Sequence, residues 1–324
     1  MTKPDVMMLS PMRAKAMEQL EAAYTLHRYD LAEDKAALLA EHGPKCRAVA
    51  ANGHAPLTRD MISQMPQLEL VACSSAGFES FDLVAMAERG IRLTNSSPAL
   101  CDEVADTAIL LMMAARRGLV PGDAYVRSGD WAAKGPFPLR TTLKGKVLGI
   151  VGLGTVGQAI ARRADVMGMD VRYWNRREKD APWTFVADLR RLAEQADNLV
   201  VIVAGGEGTR SLISREIMEA LGPEGLLVNV ARGSVVDEPA LIEALRSGAL
   251  GHAALDVFAS EPDVDPQLTA LPNVTLFPHH GSGTVETRDA MSQLVVDNLA
   301  ALYAGQDLLT PVDLSGYLPQ EARA

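Results

Sequence analysis

The chain has 324 residues, enough for about two domains of ordinary size and a large core. It is 48% hydrophobic and 22% charged, as an ordinary globular protein is, and no window offers the roughly 18 apolar residues a membrane span needs. With 41 acidic against 31 basic residues the formal net charge is −10, which argues against nucleic acid as a partner. Cys46, Cys73 and Cys101 form no close-spaced pair, so no disulfide framework and no metal site is expected. They read as small apolar core residues of a chain in a reducing compartment. The first residues lack the apolar run of a signal peptide, and a cytoplasmic location is expected.

Short apolar runs alternate with amphipathic stretches along the chain. Predicted strands cover 6–9, 24–28, 46–50, 68–73 and 91–94, then 146–151, 170–174, 199–203, 226–230, 253–257 and 274–277. Several of the intervening helical segments stop at glycine, at positions 43, 90, 168, 222 and 248. Glycine tolerates the left-handed conformation that closes a helix. Strand and helix alternating this often give an α/β fold with parallel sheets covered on both faces.

A helix over 102–117 carries Val104, Ala108, Leu111, Met112 and Ala115 on one face. Asp102 and Glu103 are expected in its first turn and Arg116 and Arg117 in its last, which suits the helix dipole. An irregular stretch with Gly, Pro and Trp131 follows over 121–142. A domain crossing is placed near the start of the 102–117 helix, and a late helix over 286–303 is expected to return the chain to the first domain. The predicted division is 1–98 with 287–324 as one domain, and 99–286 as the other.

The sharpest motif is Lys146-Val-Leu-Gly-Ile-Val-Gly-Leu-Gly-Thr-Val-Gly-Gln-Ala-Ile-Ala161. Gly152, Gly154 and Gly157 form GxGxxG directly after a strand and at the mouth of a helix. The first glycine allows the tight turn, the second lets backbone approach a pyrophosphate, and the third packs helix on strand. The helix amino terminus, at Thr155 and Val156, then offers free N–H groups to phosphate. Where NAD sites place an acid, roughly 20 residues on, this chain has Asn175 followed by Arg176 and Arg177. A carboxylate there would repel a 2′-phosphate, whereas Asn beside two arginines accepts one, so NADPH/NADP+ is expected over NADH.

Three later segments each end a predicted strand: Val228-Asn-Val-Ala-Arg-Gly-Ser-Val-Val-Asp237, Ala254-Leu-Asp-Val-Phe-Ala-Ser-Glu-Pro262 and Phe277-Pro-His-His-Gly-Ser-Gly-Thr284. They bring one arginine, Arg232, two acids, Asp256 and Glu261, and the pair His279 and His280. A cation to hold an anion, and a histidine–carboxylate pair to move a proton, are what reduction of a carbonyl by hydride requires.

These motifs, in this order, together with Ser74-Ser-Ala-Gly-Phe78 and Glu88-Arg-Gly-Ile-Arg-Leu-Thr-Asn95, resemble the D-2-hydroxyacid dehydrogenases over nearly the whole chain. The nearest likeness is to the NADPH-dependent glyoxylate/hydroxypyruvate reductase branch, which shades into hydroxyphenylpyruvate reductases. The resemblance implies two Rossmann-like or flavodoxin-like domains with an active-site cleft between them, and a homodimer. It also implies reduction of a short 2-oxo acid to the D-2-hydroxy acid. By motif, Arg232 orients the substrate carboxylate and polarises its keto oxygen, His279 is the acid–base group, and Glu261 is its paired carboxylate. Asp256 holds the nicotinamide carboxamide, with Ala231 and Gly281 also at the cofactor, and Ser75, Ala76 and Gly77 bind the substrate carboxylate through backbone N–H groups.

The chain departs from the family pattern in three places. His280 stands where an aliphatic residue is usual, Ala204–Arg210 replaces a Pro-Leu-Thr type turn, and Trp131 lies where this branch can lend an aromatic to the partner subunit. Two further readings stay open: an NAD-linked dehydrogenase of a larger phenylpyruvate-type or keto-sugar acid, and a nucleotide-sensing module of the same fold.

Overall fold

A computed structural model of the chain describes residues 3–318. The chain divides into two compact units, Met1–Leu100 with Gly283–Ala324, and Cys101–Ser282. Strands β1 (Asp5–Met8), β2 (Thr25–Arg28), β3 (Ala48–Ala51), β4 (Leu70–Cys73) and β5 (Arg92–Thr94) come first. Strands β6 (Val147–Val151), β7 (Asp170–Trp174), β8 (Thr184–Phe185) and β9 (Asn198–Val201) follow. Then come β10 (Leu226–Asn229), β11 (His252–Leu255), β12 (Val274–Leu276) and β13 (Pro311–Val312).

The first unit holds a six-stranded sheet in the order β13-β5-β4-β3-β1-β2, parallel except for β13. Residues of β3 and β4 are buried throughout, as expected for central strands with helices on both faces. The Val285–Ala304 helix packs Val295, Leu299 and Leu302 against Val6, Met8, Ala50 and Ala72. The last segment of the chain is thus part of the first unit's core.

The second unit holds a seven-stranded parallel sheet, β12-β11-β10-β9-β6-β7-β8. Strand order reverses between β6 and β9, and ligands of open α/β sheets bind at the carboxyl ends of strands beside such a switch point. At the opposite end, Lys146 Nζ and the Val147 N–H donate to the two carboxylate oxygens of Asp197, each at 2.8 Å. Arg116 reaches the same corner, with Nε 2.7 Å from Asn198 Oδ1. Burial opposes ionisation of Asp197, but Lys146 and the Val147 N–H outweigh it and hold the carboxyl below its usual range.

A depressed folded value contributes stability that is present above the unfolded one and lost as pH falls through the folded one. Thermal unfolding followed from about pH 5 to pH 2 should show Asp197→Asn losing roughly 2 °C less than the wild-type chain over that window. Equal losses would remove Asp197 from the acid response.

Three local expectations change. The predicted 102–117 helix begins earlier, as Ser97–Arg117, because Pro98 falls in its first turn, where a missing N–H costs nothing. Asp102 therefore leaves the first turn and pairs with Arg163 at 3.0 Å. The stretch expected to be irregular contains helices Leu119–Arg127 and Asp130–Lys134, with Pro121 again in a first turn. Gly43 keeps a right-handed φ of −49°. It is needed for space instead, since a Cβ there would lie 2.8 Å from the Gln64 carbonyl oxygen. Of the cysteines, Cys46 and Cys73 are buried and Cys101 is half-buried.

Candidate active site

The glycine loop after β6 is built by close approach. A Cβ on Gly157 would lie 2.1 Å from the Gly152 carbonyl oxygen, and one on Gly152 would lie 2.8 Å from that of Ile202. Gly152 also has φ +108°, a conformation that L side chains rarely adopt. Gly154 meets nothing within 4 Å and caps the Thr155–Val166 helix without a side-chain bond. Open space before an uncapped helix amino terminus is what a pyrophosphate needs. Asn175, at the end of β7, accepts the Leu153 N–H through Oδ1 at 3.0 Å. That bond fixes the turn and leaves the Nδ2 donors of Asn175 for a ligand. Arg176 and Arg177 follow, both exposed and in no ion pair with any described residue.

The loops after β10, β11 and β12 are neighbours because those strands are neighbours. After β12, His279 sits at φ +49°, a left-handed conformation that costs a side-chain-bearing residue about 1–3 kcal/mol. Asp256, 3% exposed, holds the loop in that shape. Its carbonyl oxygen accepts the His279 N–H at 2.8 Å, and its carboxylate accepts those of His280 at 2.7 Å and Gly281 at 2.9 Å. Burial pushes the Asp256 carboxyl above its usual range, with those two N–H groups acting in the opposite sense.

His279 Nδ1 lies 2.6 Å from Glu261 Oε2, and Glu261 Oε1 accepts the Phe258 N–H at 2.9 Å. Glu261 thus orients the ring through Nδ1. An apolar cavity of about 280 Å³, walled by Phe258, Pro262, Val264, Leu276 and Phe277, opens beside the pair. Arg232 follows β10, half-buried, with Nη1 2.7 Å from the Ala231 carbonyl oxygen. The next residue, Gly233, lets this loop cross the β11 loop: a Cβ there would fall 1.8 Å from the Phe258 carbonyl oxygen.

In the first unit, Ser75, Ala76 and Gly77 follow β4. Their carbonyl side is tied back, since the Ser96 N–H donates to the Ser75 oxygen at 3.1 Å and Asn95 Nδ2 to that of Ala76 at 3.2 Å. Gly53 packs against Gly77 and donates its N–H to Ser75 Oγ at 3.0 Å. The N–H groups of Ser75, Ala76 and Gly77 bond to no described residue, so the loop presents donors suited to an anion.

The family model described as D-isomer specific 2-hydroxyacid dehydrogenase, NAD binding domain, matches residues 109–281. The chain belongs to this dehydrogenase family. It is 45% identical to glyoxylate/hydroxypyruvate reductase A of Arabidopsis thaliana over 95% of this chain and 98% of that one. It is 42% identical to hydroxyphenylpyruvate reductase of Plectranthus scutellarioides, again over 95% and 98%. Among solved structures, an NADPH-dependent glyoxylate/hydroxypyruvate reductase from Sinorhizobium meliloti, in complex with NADP and malonate, matches with TM-score 0.88. It shares 36% identity over 97% of this chain and 98% of that one.

In this 2-hydroxyacid dehydrogenase, one unit therefore carries the glycine loop, Asn175, Ala231, Arg232, Asp256, Glu261, His279 and Gly281, and the other carries Ser75–Gly77. Among the described residues no group of three metal-ligating side chains occurs, and no helix is long and apolar enough to cross a membrane. The sequence reading missed Glu238, a buried carboxylate whose Oε2 accepts the Ala259 N–H at 2.9 Å. Its signal was available: the acid directly follows Asp237, the helix cap, at a position whose side chain can reach outside the helix. The replacement turn forms a short helix, Glu207–Thr209, closed by a Glu207–Arg210 ion pair at 2.8 Å.

Proposed function

We propose that this dehydrogenase reduces a short 2-oxo acid, of the glyoxylate or hydroxypyruvate type, to the D-2-hydroxy acid with NADPH. The observation that carries the reading is the His279–Glu261 pair at 2.6 Å, set beside Arg232 on neighbouring strand ends of a dinucleotide-binding unit. Residues 99–286 act as the dinucleotide domain, and 1–98 with 287–324 as the substrate domain. Reduced nicotinamide, when bound, supplies the hydride. His279 gives its proton from Nε2 to the keto oxygen, and Glu261 holds the ring in place. Arg232 orients the substrate carboxylate and polarises the keto oxygen, while the N–H groups of Ser75, Ala76 and Gly77 take the carboxylate. The Asp256 carboxylate, though it accepts two N–H groups, keeps lone pairs for the nicotinamide carboxamide.

The pyrophosphate lies on Gly152, Gly154, Thr155, Val156 and Gly157, and the 2′-phosphate on Asn175, Arg176 and Arg177. The reading includes a homodimer, supported by exposed apolar side chains concentrated at Leu110, Met113, Leu119, Val120, Trp131 and Leu139. A cytoplasmic location is part of it, with no nucleic-acid or membrane partner. A larger aryl substrate is the second reading, favoured by the likeness to hydroxyphenylpyruvate reductase.

Purified protein mixed with hydroxypyruvate, glyoxylate or phenylpyruvate, over a range of NADPH or NADH concentrations, tests the activity and the coenzyme preference by absorbance. NADPH should be preferred by about tenfold or more, and Asn175→Asp should erase about tenfold of that preference by placing a carboxylate against the 2′-phosphate. A clear NADH preference would sink the cofactor assignment. No substrate-dependent loss of either coenzyme would favour the nucleotide sensor.

A further inference from the structure

We infer that Glu238 is a positioning residue for the His279–Glu261 pair, acting through the Phe258–Ala259 peptide. The inference rests on the proton-donor reading of His279 given above. That peptide is gripped on both edges. Its N–H, on Ala259, donates to Glu238 Oε2 at 2.9 Å, and its carbonyl oxygen, on Phe258, lies against the Cα of Gly233, where even a Cβ has no room. The N–H and C=O of a trans peptide point in opposite directions, so two such contacts fix its rotation. One step back along the chain, the Phe258 N–H donates to Glu261 Oε1 at 2.9 Å, and Glu261 Oε2 meets His279 Nδ1 at 2.6 Å. Phe258 thus carries the gripped carbonyl on one side of its Cα and the N–H that aims the Glu261 carboxylate on the other, so releasing the 258–259 peptide frees the residue that holds this donor.

Burial adds to the argument. Glu238 is 8% exposed and makes one hydrogen bond among the described residues. A buried carboxyl with a single backbone partner is a poor source of stability. Its place is better explained by what it holds. It also lies at the start of the Glu238–Ser247 helix, a rigid element that leads directly from the Arg232 loop. One short segment thereby ties the substrate-orienting arginine to the turn that carries the histidine's partner.

Glu238→Met keeps the volume and removes the acceptor, Glu238→Ala is a second acceptor-free variant, and Glu238→Gln restores an acceptor oxygen. Either acceptor-free variant should lose about 10–100-fold in kcat, with KM for NADPH within about twofold, and Glu238→Gln should recover most of the loss. The alkaline limb of the kcat profile should move to lower pH in the acceptor-free variants, because the protonated ring loses a well-aimed carboxylate. Arg232, Asp237, Asp256, Asp263, Asp265 and His280, the other charged or titratable groups of the loops after β10, β11 and β12, are unaltered in all three.

Wild-type kcat and an unmoved alkaline limb in an acceptor-free variant, whatever its melting temperature, overturn the inference. Should the wild-type chain reduce no 2-oxo acid, the functional reading fails separately. Positioning is then decided by NMR titration of the His279 ring, identified by its loss in His279→Gln. A midpoint shifted between wild type and Glu238→Met supports the inference, and an unchanged midpoint overturns it.

Discussion

Replacing His279 by Gln should lower kcat for 2-oxo acid reduction by about 10²–10⁴-fold, equivalent to about 3–5 kcal/mol of barrier, while NADPH binds as before. Glutamine keeps a polar side chain in the loop but has no group that titrates near neutral pH. The loop itself should survive, because the bonds that shape it come from Asp256 to the backbone N–H groups of His279, His280 and Gly281. Coenzyme affinity from fluorescence titration separates the outcomes. Near-normal turnover would move the proton donor to His280, whose ring lies exposed against Phe277 at 5.6 Å between centroids. Lost coenzyme binding would mean that the loop, not the proton, had been removed.

Gly157→Ala should give the opposite pattern. Its Cβ would sit 2.1 Å from a backbone oxygen of Gly152, a contact that no rotamer change relieves. The turn must open, at about 3 kcal/mol by the usual cost of overpacking, and coenzyme Kd should rise by about 100-fold. At saturating NADPH, where it can be reached, kcat should recover much of its value, since the His279 loop stands on β12, strands away from β6. Unchanged affinity would show that the third glycine is not needed for coenzyme. Taken as a pair, the two variants separate chemistry from coenzyme binding.

Eleven strands were legible, most of them as apolar runs that stand out, such as the Leu-Val-Ala-Cys of β4 or the Val-Leu-Gly-Ile-Val of β6. Strands β8 and β13 were not, being two residues each, and β13 begins with a proline that only an edge position accepts. The Ser97–Arg117 and Leu119–Arg127 helices start earlier than the pattern suggests because Pro98 and Pro121 lie in first turns, where the missing N–H is harmless. In the site, residue types and order singled out Arg232, Glu261 and His279 as candidates. What holds them was out of reach. The Gly233–Phe258 crossing and the Glu238–Ala259 bond join segments about 20 residues apart, and no local pattern records such pairings.

The split of the first unit has a consequence for how the chain is made. The second unit is one uninterrupted stretch, so all its strands leave the ribosome in succession. The first unit's sheet waits for its covering helix, Val285–Ala304, and its edge strand β13 until about 180 residues more have been added. At translation rates of about 5–20 residues per second, that is a delay of roughly 10–40 s. Throughout it, the apolar face formed by Val6, Met8, Ala50 and Ala72 lacks the helix that later buries it. The nascent chain is then most exposed to aggregation, and a holding chaperone would act on the amino-terminal sheet rather than on the dinucleotide unit.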